Sequence, residues 1–274
     1  MEKMRIDLHT HTEHSLDCDT SVRSLIKSAK RANLDAVAIT DHDTMAGCRE
    51  AEQMMTKDIL VIPGMEITAK GGGHIIGLFL EREISSRDIF DIIDEIHKQD
   101  GLALIPHPYR PGSGLIYNME ETGYPSGEDL AEIIRKVDLI EEVNYRSENA
   151  EIIKTDKFLE FYPNPARAAG SDAHWEDEVG KAWLELEDFQ SDSLEKVKAA
   201  LLTSPRLLRF EAFGIDIESR IGKIRLMRRK RSILIRTGRM IINPIKRSLR
   251  AIYEKSSSKA KETESKNWIN TSAK

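Results

Sequence analysis

The sequence predicts an α/β fold whose parallel sheet closes into a barrel, and two patterns carry that prediction. Short apolar runs alternate with amphipathic stretches from Arg5 to Leu202, as in β-α-β-α units with a parallel sheet. Polar side chains then follow the runs one after another: His9, Asp41 with His42, Glu66, His107, Glu142 with Asn144, and Asp172 with His174. A barrel gathers the C-terminal ends of its strands into one mouth, where such residues converge; an open sheet spreads them along a line.

The elements follow in order. Strands are predicted at 5–8, 36–40, 60–63, 75–80, 103–105, 139–143, 168–170 and 182–186. Many are nearly all apolar, as strands covered on both faces are. Helices are predicted at 21–32, 44–55, 86–98, 127–135, 152–161 and 192–202. Several begin with Ser or Thr, which can accept from a free N–H of the first turn. The segment 109–127 is rich in Gly, Pro and Tyr and reads as a long loop, a place for substrate contacts.

Composition bounds the rest. The chain has 274 residues, 40% of them hydrophobic, enough for a real core in one large domain or two small ones. No run of 18 apolar residues predicts a membrane-spanning helix, and the start MEKMRIDLHT has no signal-peptide stretch. Two cysteines, Cys18 and Cys48, make no disulfide framework, so a reducing, cytoplasmic setting is expected. The net charge of -5 averages unlike parts. Residues 1–219 hold 24 Lys and Arg against 43 Asp and Glu, whereas 220–255 hold 13 basic residues and one acid.

His9-Thr-His11 sets two imidazoles two residues apart, on one side of an extended chain, and Asp172-Ala-His174 repeats the spacing. Of eight histidines, His9, His11, His42, His74, His107 and His174 sit at or near predicted strand ends; His14 falls in a loop and His97 on a polar helix face. Imidazole with carboxylate suits Zn²⁺, Mn²⁺ or Fe²⁺. The lack of cysteine pairs argues against a closed structural zinc site. Asp41 and Asp43 read as turn and capping residues or as groups orienting His42. Of Glu141 and Glu142 at most one can face the barrel mouth. Arg110 can match phosphate oxygens with two parallel hydrogen bonds, and Arg146 is a second candidate. Tyr109, Tyr117 and Tyr124 are candidates to stack on a base or sugar or to pack the loop. Asn144 can contact substrate or position a ligand.

The motifs DLHTHT (7–12), AITDHDT (38–44), PGMEIT (63–68), HIIG (74–77), IPHPYR (105–110), EVN (142–144) and GSDAH (170–174) together resemble the PHP (polymerase and histidinol phosphatase) domain family. The resemblance covers about residues 5–190. It implies a distorted (β/α)7 barrel with three divalent metal ions. Carried over by motif, His9, His11, Glu66 and Asp172 hold the first ion. Glu66 bridges to a second, which also takes His74 and His107, and Asp17, His42 and His174 hold the third. Asp17 is preferred to Asp19 on its spacing after His11. The resemblance further implies hydrolysis of a small phosphorylated metabolite or nucleotide through a metal-bridging hydroxide. A phosphodiesterase or exonuclease on short oligonucleotides and a non-catalytic, metal-stabilised interaction module are the alternatives.

The domain reading is a barrel over 1–219, a basic amphipathic helical extension over 220–255 and a disordered tail over 256–274. The extension carries apolar residues at helical spacing among its basic ones. It suits an anionic membrane surface, nucleic-acid phosphates, the acidic body or a second subunit. The sequence does not specify the oligomeric state.

Overall fold

The computed structural model describes residues 2–54, 59–124 and 126–211. The basic extension and the tail expected at 220–255 and 256–274 lie outside the described residues.

In chain order the elements are β1 (Lys3–Asp7), α1 (Val22–Arg31), β2 (Ala36–Ile39), α2 (Ala46–Gln53), β3 (Leu60–Thr68), β4 (His74–Leu78), α3 (Ile89–Lys98), β5 (Leu102–Ile105), α4 (Leu115–Thr122), α5 (Gly127–Lys136), β6 (Leu139–Asn144), α6 (Asn149–Phe161), β7 (Ala166–Gly170), β8 (Ala182–Glu187), α7 (Leu194–Thr203) and β9 (Arg206–Phe210). The strands form one sheet in the order β7-β6-β5-β4-β3-β2-β1-β8-β9. β1, β2, β3, β5, β6 and β7 run one way, whereas β4 and β8 run against their neighbours. The sheet is a nearly closed barrel. At the mouth the chain beyond β1 meets the chain beyond β7 through a parallel bridge between Thr10 and Ala173. Asp172 N–H donates to the His9 carbonyl (2.7 Å), and His11 N–H donates to the Ala173 carbonyl (2.9 Å). These bonds bring the first and last motifs of the site together.

The apolar runs are continuous because each strand serves two cores. Ala36 and Ala38 join Ile62, Ile76, Leu104 and Leu139 in one core, against which α7 packs Val197 and Leu201. Their neighbours Val37, Ile39, Ile75, Ala103, Ile105 and Ile140 join the helices in the other. Alternation of side chains across a strand produces this division. Burying each Leu or Ile contributes roughly 1.5–3 kcal/mol, so the two layers fix the strand ends on which the site is built.

Local caps agree with the sequence in part. Ser21 accepts from Ser24 N–H at the start of α1, Ser126 and Asp129 form a reciprocal cap on α5, and Ser193 caps α7. At α3 Asp88 does this rather than Ser86. Other expectations are corrected. The loop expected over 109–127 contains α4, which ends at Gly123 in the left-handed conformation (φ 69°) that a glycine adopts at little cost. β3 runs on to Thr68, past the predicted end at 63, because it continues as a hairpin with β4. α2 begins at Ala46, and neither Asp41 nor Asp43 caps it: Met45 stands at the cap without a side-chain bond. β9, unforeseen, pairs with β8 through a mostly half-exposed pattern that lacks strong apolar alternation. Among the described residues no helix is long and apolar enough to cross a membrane.

Candidate metal centre

Three strands aim site residues by simple alternation. Along β3 the inward series begun by Ile62 reaches Glu66; along β4 the series Leu78, Ile76 reaches His74; along β6 Leu139 is followed by Glu141. β4 is antiparallel, so its first residue, His74, lies at the same mouth as the last residues of its neighbours. His9, His107 and Asp172 follow the ends of β1, β5 and β7. His107 (φ 29°) and Asp172 (φ 52°) hold left-handed backbones, which cost a non-glycine residue on the order of 1 kcal/mol and recur where function demands an unusual aim.

The structure brings all nine side chains named from the motifs into one buried cluster, with only His42 partly exposed. Glu66 is its hub. Oε1 lies 2.7 Å from His74 Nδ1 and 3.1 Å from His107 Nε2. Oε2 lies 3.0 Å from His42 Nδ1, 3.4 Å from His11 Nε2 and 3.6 Å from His9 Nε2. Asp172 Oδ1 lies 3.2 Å from His11 Nε2 and 3.5 Å from His9 Nε2. Asp17 Oδ2 lies 3.2 Å from His174 Nε2 and 3.4 Å from His42 Nε2. The two oxygens of Glu66 thus face two different groups of imidazoles, and Asp17 serves a third. Asp19 is exposed.

Electrostatics keeps Glu66, Asp172 and Asp17 ionised and favours neutral His107 and His11, the forms that bind a cation. Burial alone would raise the carboxyls, but adjacent imidazoles outweigh it. Glu66 is held well below the usual range by His74, His42 and His9, and Asp172 by His9 and the Arg110 guanidinium. Asp17 is held low by His174 and His42. Burial, with Arg110 nearby, lowers His107 to about 3, so its imidazole is neutral. Burial also lowers His11, with His174 adding to the effect. His9 goes the other way: Asp172, Glu141 and Glu66 overcome its burial and raise it well above its ordinary value. For Glu66, Asp172, Asp17 and His9 desolvation and oppositely charged partners compete and the partners win; for His107 and His11 burial and a neighbouring cation act together.

A supporting layer surrounds the cluster. Glu141 is the inward member of its pair. It lies 3.2 Å from His9 Nδ1 and accepts from His107 N–H (2.8 Å) and Asn144 Nδ2 (2.9 Å). Glu142 turns outward to Arg167. Since Leu139 and Ile140 are both apolar, alternation in the sequence could not choose between the two glutamates. Arg110 donates from Nη1 to Asp172 Oδ2 and from Nη2 to Asn144 Oδ1, both at 2.5 Å. Arg146 is instead committed to Glu178 (3.4 Å) and lies over the Trp175 ring. Glu178, which the sequence reading missed, also accepts from His174 N–H (3.0 Å). Its spacing four residues after His174 was the only hint. Tyr109 packs edge-on against Phe158 with Lys154 over its ring, and Tyr124 lies under Lys70. His14 pairs with Glu50, His97 with Asp138, and Asp43 with Arg87 and Thr68. Cys18 and Cys48 are buried, and burial pushes both thiols up to about 12, which makes them inert.

The donor set fits divalent cations. Among the described residues, four groups of three side chains each present ligand atoms within 4.8 Å of one another, drawn from His9, His11, His42, Glu66, His74, His107, Asp172 and His174. His9 Nε2 and His11 Nε2 converge to 3.1 Å, and His107 Nδ1 is buried without a hydrogen-bond partner. Imidazole nitrogens gathered this closely around buried carboxylates make the donor set that a divalent cation takes.

The PHP domain model matches residues 7–162, and a PHP-associated model matches 166–203. An uncharacterized protein of Methanocaldococcus jannaschii is 28% identical, over 84% of this chain and 100% of its own. The 5'-3' exoribonuclease Rnm of Escherichia coli is 36% identical over 27% of each chain. A two-domain protein of Bacteroides vulgatus, described as containing a predicted PHP-like metal-dependent phosphoesterase, superposes with a TM-score of 0.62 at 21% identity, covering 81% of this chain and 69% of that one. The chain belongs to the PHP domain family.

Proposed function

We propose that the protein is a metal-dependent phosphoesterase that releases phosphate from a small phosphomonoester. The carrying observation is the position of Arg110. Its guanidinium stands at the edge of the cation-fitting cluster, hydrogen-bonded to Asp172 and Asn144 and one-fifth exposed. A planar fork at that place matches two phosphoryl oxygens, a geometry a lysine cannot reproduce.

The residue roles are those that the family resemblance implies for the side chains gathered here. His9, His11, Glu66 and Asp172 would hold one ion, with Glu66 shared to a second held with His74 and His107; Asp17, His42 and His174 would hold a third. Mn²⁺, Zn²⁺ or Fe²⁺ bound there supplies Lewis-acid polarisation of the phosphoryl group and a nucleophile at neutral pH. Glu141 fixes the Nδ1 side of His9, which keeps the other nitrogen aimed at the cluster. Asn144 spans Glu141 and Arg110, so the guanidinium that receives the phosphate is held in register with the ligand support.

A second reading, cleavage of phosphodiesters in short oligonucleotides, is favoured by the stretch shared with the exoribonuclease. Against it, residues 1–219 carry an excess of acidic side chains, which repel a long polyanion. Kinetics on matched monoester and diester substrates separate the two. Arg110→Ala is expected to lower kcat/KM for the monoester about 100-fold, with Arg110→Lys recovering only part. An unchanged value in Arg110→Ala contradicts the assignment of Arg110, and turnover confined to the diester contradicts the monoesterase reading.

A further inference from the structure

Two buried polar side chains lie behind the cluster: Ser15 and Asp41, with 1% and 0% exposure. Asp41 neither caps a helix nor belongs to the groups of ligand-competent side chains. Its Oδ1 accepts from Thr12 N–H (2.6 Å) and from the Ser15 hydroxyl (2.7 Å), and its Oδ2 accepts from the Thr12 hydroxyl (2.6 Å). α2 closes over this carboxylate at Gly47. A Cβ there would stand 2.3 Å from Asp41 Oδ2 and 2.8 Å from Thr12 Oγ1, so a glycine is needed for the carboxylate to sit where it does.

The direction of each bond is then determined. A hydroxyl has one proton and two lone pairs. Ser15 gives its proton to the carboxylate, so the neighbours of its lone pairs must be donors. One is the His42 backbone N–H, at 3.0 Å. The other is His11 Nδ1, at 3.1 Å. An imidazole that donates from Nδ1 keeps the lone pair of its neutral form on Nε2. His11 Nε2 is the atom that faces Glu66 and Asp172.

We infer that Ser15, oriented by Asp41, is a positioning residue. It holds His11 as the Nδ1–H tautomer and pins the His42 backbone to the same oxygen, so that one hydroxyl sets two histidines contributed by different loops. This inference rests on the metal-dependent reading of the site. It differs from the support of His9, where the Glu141 carboxylate touches Nδ1 without an intermediary.

The tautomer can be read without activity. In the metal-free protein, two-bond proton–nitrogen correlation of ¹⁵N-labelled imidazoles should show His11 protonated on Nδ1 and bare on Nε2, with the signal assigned by its loss in His11→Gln. Mn²⁺ binding by competition with a chelator should weaken about 10–100-fold in Ser15→Ala, the usual range for loss of a group that orients a ligand. Ser15→Thr, which keeps the hydroxyl, should bind within a few-fold of wild type. A wild-type His11 protonated on Nε2 overturns the inference, and this measurement needs no variant to fold. Ser15→Ala with wild-type Mn²⁺ affinity and an unchanged tautomer also overturns it, as does equal weakening in Ser15→Ala and Ser15→Thr. A wild-type protein with the Nδ1–H tautomer that binds no divalent cation overturns the metal-dependent reading instead, while the tautomer assignment stands.

Discussion

Glu66→Gln is expected to lower metal-dependent phosphate release by at least about 10³-fold, on the order of 4 kcal/mol of transition-state stabilisation. Glutamine keeps the volume and one carbonyl oxygen. It loses the charge and replaces the second oxygen with an amide that can only donate. Those two oxygens face five imidazoles, His74 and His107 on one side and His9, His11 and His42 on the other. Each of the two oxygens serves one of these groups, so the loss reaches both cation positions proposed around Glu66. Steady-state kinetics, with bound metal measured on the same sample, check this. A variant that keeps more than a tenth of wild-type turnover contradicts the central place given to Glu66.

Stripping the metal is expected to lower the melting temperature by about 10 °C. A ligand at 1,000 times its dissociation constant stabilises the folded state by about 4 kcal/mol, and each kcal/mol moves the midpoint by roughly 2–4 °C in a domain of this size. The sign follows from the site. Without cations the buried carboxylates rely on imidazoles and Arg110 for opposite charge, and the Nε2 atoms of His9 and His11 stand 3.1 Å apart. In the unfolded chain these groups separate and no site exists, so binding stabilises only the folded form. Differential scanning calorimetry in excess chelator and in excess Mn²⁺ measures the shift. Coincident transitions contradict the presence of a cation site in the folded protein.

Much of the site could be read from spacing. His9 and His11, and Asp172 and His174, lie two residues apart just past apolar runs, and the chain order of the motifs placed them at successive strand ends. Parity along a strand accounts for Glu66 and His74, once β3 and β4 are seen as a hairpin. What spacing could not supply was the layer behind the ligands. Ser15 and Asp41 lie 26 positions apart, and their pairing depends on α2 closing at Gly47. Glu141 could not be told from Glu142 because both neighbouring strand residues are apolar. Arg146 stands in the sequence as a second candidate after Arg110, but Glu178 holds it through a contact 32 positions away. α4 was hidden in a segment whose Gly and Pro content reads as loop, although Leu115, Ile116 and Met119 bury one face of it. Local pattern identifies residues that repeat a period; pairings set by tertiary closure leave no period to find.

The same layer supports the ligands from behind. Asn144 joins Arg110 to Glu141, Glu141 touches His9 and holds the His107 backbone, and Glu178 holds the His174 backbone. His9, His107 and His174 are therefore held from behind before any cation arrives, which reduces the ordering cost of binding.

The most direct test of the metal centre is anomalous diffraction from crystals of the Mn²⁺-loaded protein, recorded at the manganese edge. Three peaks are expected at the barrel mouth: one among His9, His11, Glu66 and Asp172, one among Glu66, His74 and His107, and one among Asp17, His42 and His174. Peaks elsewhere on the molecule, or none within reach of Glu66, would contradict this arrangement.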